Sequence, residues 1–121
     1  MIYTSYFGQL RKLNELGLTP VSITAGQPRF FKGEHFPEVA PQRVLVHDYK
    51  SGLISEKQYT KIYNMYLEYN KDVILDIVKE KYINRNVVFL CYEKNGTFCH
   101  RHLLAKFLRD NGIDCEEVSL L

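Results

Sequence analysis

The chain has 121 residues, 45% of them hydrophobic and 25% charged, with 16 basic against 14 acidic side chains and a formal net charge of +2. That length suits one folded domain, and that composition excludes a disordered chain. A charge so balanced gives no strong nucleic-acid signal, and no apolar run nears the ~20 residues of a membrane span.

Met1 to Leu10 shows no basic stretch followed by an apolar one, so no secretory leader is read there and a cytoplasmic location is expected. The three cysteines, Cys91, Cys99 and Cys115, are an odd number in a chain without an export signal. They are expected to be reduced thiols.

Ile2 to Ser5 reads as a short strand. Phe7, Leu10, Leu13 and Leu16 follow at helical spacing, with Gly17 placed to end the helix. Val21 to Thr24 is a second strand, so the opening reads as βαβ, a parallel pair with a covering helix. From Gly26 to Gly52 periodicity fails among Pro28, Pro37 and Pro41, and only Val44 to Val46 looks strand-like. So long an irregular stretch points to a lid or binding wall, here rich in aromatic and basic groups such as Arg29, Phe30, Phe31 and Lys32. The alternative is a segment that packs its own aromatics.

Ser55 and Gln58 form a capping box, and Tyr59, Ile62, Tyr63, Tyr66 and Leu67 mark one buried helical face. That stripe is read as core, with Tyr59 and Tyr63 open to a ligand role. Val73 to Lys81 carries a further helix. Val87 to Leu90 is apolar without alternation, as a strand buried on both faces should be. A helix from about Phe98 to Asn111 stops at Gly112, and Cys115 to Leu120 supplies the last strand. The expected fold is a single three-layer α/β domain with a short, mostly parallel sheet flanked by helices.

Reactive side chains concentrate from Cys91 to Arg101, where a buried strand passes through a loop into a helix. Ligands of parallel sheets bind at such strand ends, and helix N-termini favour anions. Asn95-Gly96 is read as the tight turn and Thr97 as the N-cap. On the helical wheel His100 points along the apolar stripe, Arg101 lies at its edge, and His102 faces solvent.

Three readings stay open. Arg101, His100 and nearby amides bind a small anion, with Arg101 offering paired donors. Alternatively Cys99 is a nucleophile, with Glu93 or His100 as acid–base groups. In the third, Cys91, Cys99 and His100 hold a metal, but the C-x7-C-H spacing fits no common zinc pattern, and no metal or cofactor is expected. The purely structural alternative makes Cys91 a packing residue and has Arg101 brace the loop through Glu93. The intervals from Cys91 and Cys99 to Arg101, ten and two residues, disfavour the phosphate loop of a cysteine phosphatase.

Leu90-Cys91-Tyr92-Glu93-Lys94, Gly96 and Phe98-Cys99-His100-Arg101 resemble the signature of the domain-of-unknown-function 488 family, in its phage and bacterial form. Ser22, Ile23, Gly26, Pro28, Phe31 and Gly33 match a further segment. So do Ala40-Pro41, Asp48-Tyr49-Lys50, Gly52, Tyr59 and Tyr63, and the likeness covers nearly the whole chain. The resemblance implies the fold and the place of the site, without a reaction. It also implies an arginine after the second strand, where this chain has Thr24 and Ala25, leaving Arg29 as the candidate substitute.

The expected function is binding of a small anionic, nucleotide- or phosphate-like ligand. Arg101, Cys91, Tyr92, Arg29, Phe31 and Tyr49 would bind it, with Phe30 a further ring to stack on a base. The alternatives are a thiol-dependent enzyme using Cys99, His100 and Glu93 on such a ligand, or a phage-type inhibitor or sequestering protein. Oligomeric state and protein partners are not legible in the residues.

Overall fold

Strand β4 (Val87–Cys91) is buried at every position because it lies at the centre of the sheet. In the computed structural model, which describes residues 1–93 and 98–119, it is flanked by β1 (Ile2–Tyr6) and β2 (Thr19–Ser22), both parallel to it. A two-residue strand, β3 (Glu34–His35), extends the sheet beyond β2, and β5 (Cys115–Glu117) extends it beyond β1. The order β3-β2-β4-β1-β5 is parallel throughout. The βαβ opening is real, but its two strands are not neighbours, because β4 inserts between them.

Alternate β4 side chains feed two cores. Val87, Phe89 and Cys91 join the larger, and Val88 and Leu90 the smaller. This explains the unbroken apolar run, since both faces are covered. Each large apolar side chain removed from water contributes about 1.5–3 kcal/mol. The smaller core adds Phe7, Leu13 and Phe31 beneath α1 (Leu10–Glu15), which ends at Gly17 with φ +75°. Only glycine takes that conformation without strain.

Helix α2 (Arg43–Lys50) lies where a loop and a strand-like Val44–Val46 were expected. The larger core is covered by α3 (Glu56–Tyr69), α4 (Lys71–Ile77) with a π-helical turn at Val78–Tyr82, and α5 (His100–Asp110). Ser55 accepts from Gln58 N at 3.1 Å and its own N–H donates to Gln58 Oε1 at 2.7 Å, completing the expected capping box. Helix α5 starts at His100 with Cys99 as N-cap. The turn read at Asn95-Gly96 and the cap read at Thr97 lie outside the described residues. No helix among the described residues is long and apolar enough to cross a membrane.

Candidate functional site

A cavity of about 560 Å³ opens between α2 and the C-terminal ends of β2 and β4. Its floor is Cys91 from β4 together with Cys99 and His100, where α5 begins. The Tyr92-Glu93 step forms one edge and Thr24 to Gly26 another.

Aromatic packing builds one wall. Tyr49, Tyr59 and Phe98 meet edge to face, with ring centroids 5.1–5.4 Å apart. Such contacts orient rings firmly and leave a rigid apolar surface. Burial pushes the Tyr59 phenol up, so its hydroxyl stays protonated.

Charge comes from α2. Arg43, His47 and Lys50 follow the i, i+4, i+7 spacing of one helical face, and all three line the cavity with Val46 between them. Arg43 donates from Nη2 to the Ala25 carbonyl at 3.3 Å, and Lys50 Nζ meets Glu93 Oε1 at 3.0 Å.

At the floor, His100 Nε2 is 2.8 Å from the Ile23 carbonyl. A carbonyl only accepts, so Nε2 carries the hydrogen and Nδ1 keeps a lone pair, 3.7 Å from Cys99 Sγ. Burial, countered by the Ile23 hydrogen bond and reinforced by Arg101, lowers the His100 pKa to about 4. The ring is therefore neutral at pH 7.

Arg101 is fully buried and does not line the cavity. Its Nε and Nη2 donate to the Glu117 carboxylate at 2.9–3.1 Å. Nη1 donates to Cys91 Sγ at 3.0 Å and to the Glu93 carbonyl at 2.5 Å. The direct anion contact expected of Arg101 is thus corrected, because Glu117 takes its bidentate edge. Arg101 reaches the site through Cys91 instead. Arg101 does meet Glu93, but at its backbone carbonyl, whereas the Glu93 carboxylate pairs with Lys50.

The cysteine expectation changes too. Cys91 and Cys99 are paired as a disulfide, because the end of β4 and the start of α5 converge. Only Cys115 is free among the described residues, and burial pushes its thiol up to about 12.

Of the residues picked out in the sequence, Cys91, Tyr92, Glu93, Cys99, His100 and Tyr49 line the cavity. Phe31 does not, since it packs on Phe7 in the smaller core on the other face of the sheet. Arg29 is exposed and away from the cavity. The guanidinium beside Thr24 and Ala25 belongs to Arg43. Among the described residues no group of three or more His, Cys, Asp or Glu side chains gathers as a metal ion needs.

Sequence reading missed Arg43, His47, Lys50 and Phe98 as cavity residues, and Glu117 behind it. The first three share a helical face, and that periodicity was the available signal.

A family model described as the active DUF488-N3 subclade, DUF488-N3a, matches residues 18–112. No curated protein and no solved structure matched the chain.

Proposed function

This chain belongs to the DUF488-N3a family, and from that placement we propose that its cavity binds a small anion bearing a planar ring, the chemistry of a nucleotide. The carrying observation is that one face of α2 supplies Arg43, His47 and Lys50 to a cavity walled by the Tyr49, Tyr59 and Phe98 rings.

Size supports the reading, since small-molecule sites span about 300–1,000 Å³. Magnitudes divide the labour. The cations on this face, Arg43 and Lys50, are well exposed, and an exposed ion pair contributes about 0.2–1 kcal/mol. Stacking of a base on an aromatic side chain contributes about 1–3 kcal/mol. Rings therefore supply most of the affinity and the α2 cations select for charge. Together these reach at most about 6 kcal/mol, so a dissociation constant on the order of 1 mM, or about 4.1 kcal/mol, is expected.

Calorimetric titration with AMP, adenosine and inorganic phosphate tests this. AMP should bind best, adenosine more weakly, and phosphate weakest. Adenosine binding as tightly as AMP, or none of the three binding, contradicts the proposal.

Thiol-dependent chemistry on such a ligand is the second reading, favoured by the meeting of Cys91, Cys99 and His100 at the floor. A cytoplasmic location, expected from the sequence, supplies small thiols that reduce disulfides.

A further inference from the structure

The two sulfurs at the cavity floor keep different electrostatic company. Cys91 Sγ accepts from Arg101 Nη1 at 3.0 Å, on the part of the guanidinium that Glu117 does not occupy. Arginine stays protonated, and here it is shielded from water. A buried guanidinium in contact favours thiolate over thiol. Cys99 instead faces the acceptor Nδ1 of a neutral imidazole, a partner for a thiol hydrogen. Cys91 is buried but lines the cavity, as Cys99 does, so the cavity is the side from which a reagent would approach either sulfur. Cys115 lies in the core, away from the cavity, and serves as an internal control.

We infer that Cys91 and Cys99 are a reversible thiol–disulfide couple, with Cys91 the attacking thiolate and Cys99 the resolving thiol, acting on a small anionic disulfide admitted by the cavity. The preference for an anion rests on the binding proposed above, whereas the couple does not.

In the reduced protein the Cys91 thiolate attacks one sulfur of RSSR. A Cys91–SR bond forms, the S–S bond of RSSR breaks, and RS⁻ leaves. Cys99 sulfur then attacks Cys91 sulfur, closing the Cys91–Cys99 bond and expelling the second RS⁻. The proton of Cys99 goes to that leaving group, giving RSH. One small disulfide is reduced to RS⁻ and RSH while the protein dithiol is oxidised. Two small thiols drive the reverse.

Reduced protein is incubated at pH 7 with oxidised glutathione, which is anionic, and with bis(2-hydroxyethyl) disulfide, which is neutral. Adducts are mapped by peptide mass spectrometry. Cys99→Ser should accumulate a mixed disulfide on Cys91. Cys91→Ser should react at Cys99 at least about tenfold more slowly, since a thiol is a poor nucleophile. Wild type should end with the Cys91–Cys99 bond closed. Trapping on Cys99, or equal rates at both, overturns the assignment. Reaction with neither reagent beyond the level at Cys115 overturns the couple.

Oxidised glutathione should react about tenfold faster than the neutral reagent, a difference of about 1.4 kcal/mol. Equal rates with both reagents remove the anionic specificity and leave the couple standing, which separates the two failures. Should a serine variant not fold, wild-type alkylation by iodoacetamide against pH decides. Cys91 should be modified at lower pH than Cys115, and the opposite order contradicts the inference.

Discussion

Arg101 and Glu117 meet edge to edge, with Nε 3.0 Å from one carboxylate oxygen and Nη2 2.9 Å from the other. The arginine comes from α5 and the glutamate from β5, so the pair ties the helix that begins at the cavity floor to an edge strand. Thr4 Oγ1 also donates to the same carboxylate at 2.6 Å. The guanidinium is wholly buried while the carboxylate is 29% exposed. The cost of breaking the pair therefore falls mainly on the arginine.

Glu117→Ala should destabilise the fold by about 3 kcal/mol, the lower end for a broken buried pair, because an uncompensated charge remains inside. Glu117→Gln should cost less, since an amide oxygen still accepts. Urea denaturation measures both. An unchanged midpoint for Glu117→Ala contradicts the arrangement.

Acid should weaken the protein through His100. Its folded pKa, about 4, lies below the ordinary 6.5, so the unfolded chain takes up a proton that the fold refuses. The stability is whole above about pH 6.5 and declines as pH falls towards 4, by about 1.4 kcal/mol per unit and about 3 in total. His100→Gln, which keeps a donor for the Ile23 carbonyl, should flatten that slope. The carboxyl of Glu34, held low by its hydrogen bond with Arg85, titrates below the ordinary carboxylate range. The difference between wild type and variant thus isolates the histidine. Parallel stability curves for the two proteins would show that His100 is not the group involved.

Much of this architecture is written locally. The apolar Val87–Leu90 run, the Ser55–Gln58 box and the glycines after α1 and α5 each carry their signal within a few residues. The sulfur, imidazole and Glu93 groups were findable because one strand–loop–helix passage holds them all. Helix α2 was not, for a physical reason. Its face towards the cavity carries Arg43, His47 and Lys50, so the apolar stripe shrinks to Leu45, Val46 and Tyr49, too short to stand out as a helix. Neighbouring prolines and a Val-Leu-Val run then suggested a loop with a strand. Glu117 was missed because its partner lies 16 residues away, across a helix and a turn. Phe31 looked available to a ligand, but the side of the sheet on which it packs is a tertiary fact.

Helix α3 gives a cleaner energetic test. Ser55→Ala removes the acceptor for Gln58 N and should cost about 1 kcal/mol, with Ser55→Gly costing only a few tenths. Thermal denaturation read by circular dichroism shows the shift. Equal effects from the two substitutions would argue against the cap.

The cation-lined cavity should respond to ionic strength. Affinity for AMP should fall as salt rises and the Debye length shrinks towards about 8 Å at ~0.15 M. Adenosine binding should change little. A flat salt response for AMP means that charge plays no part in its recognition.

The most direct measurement is AMP affinity in Arg43→Glu/Lys50→Glu, set beside wild type in the same calorimetric titration, with circular dichroism confirming the fold. Reversing two cations on one face of α2 should weaken binding by at least about thirtyfold, or about 2 kcal/mol. Unchanged affinity in a folded variant would contradict anion recognition by this helix.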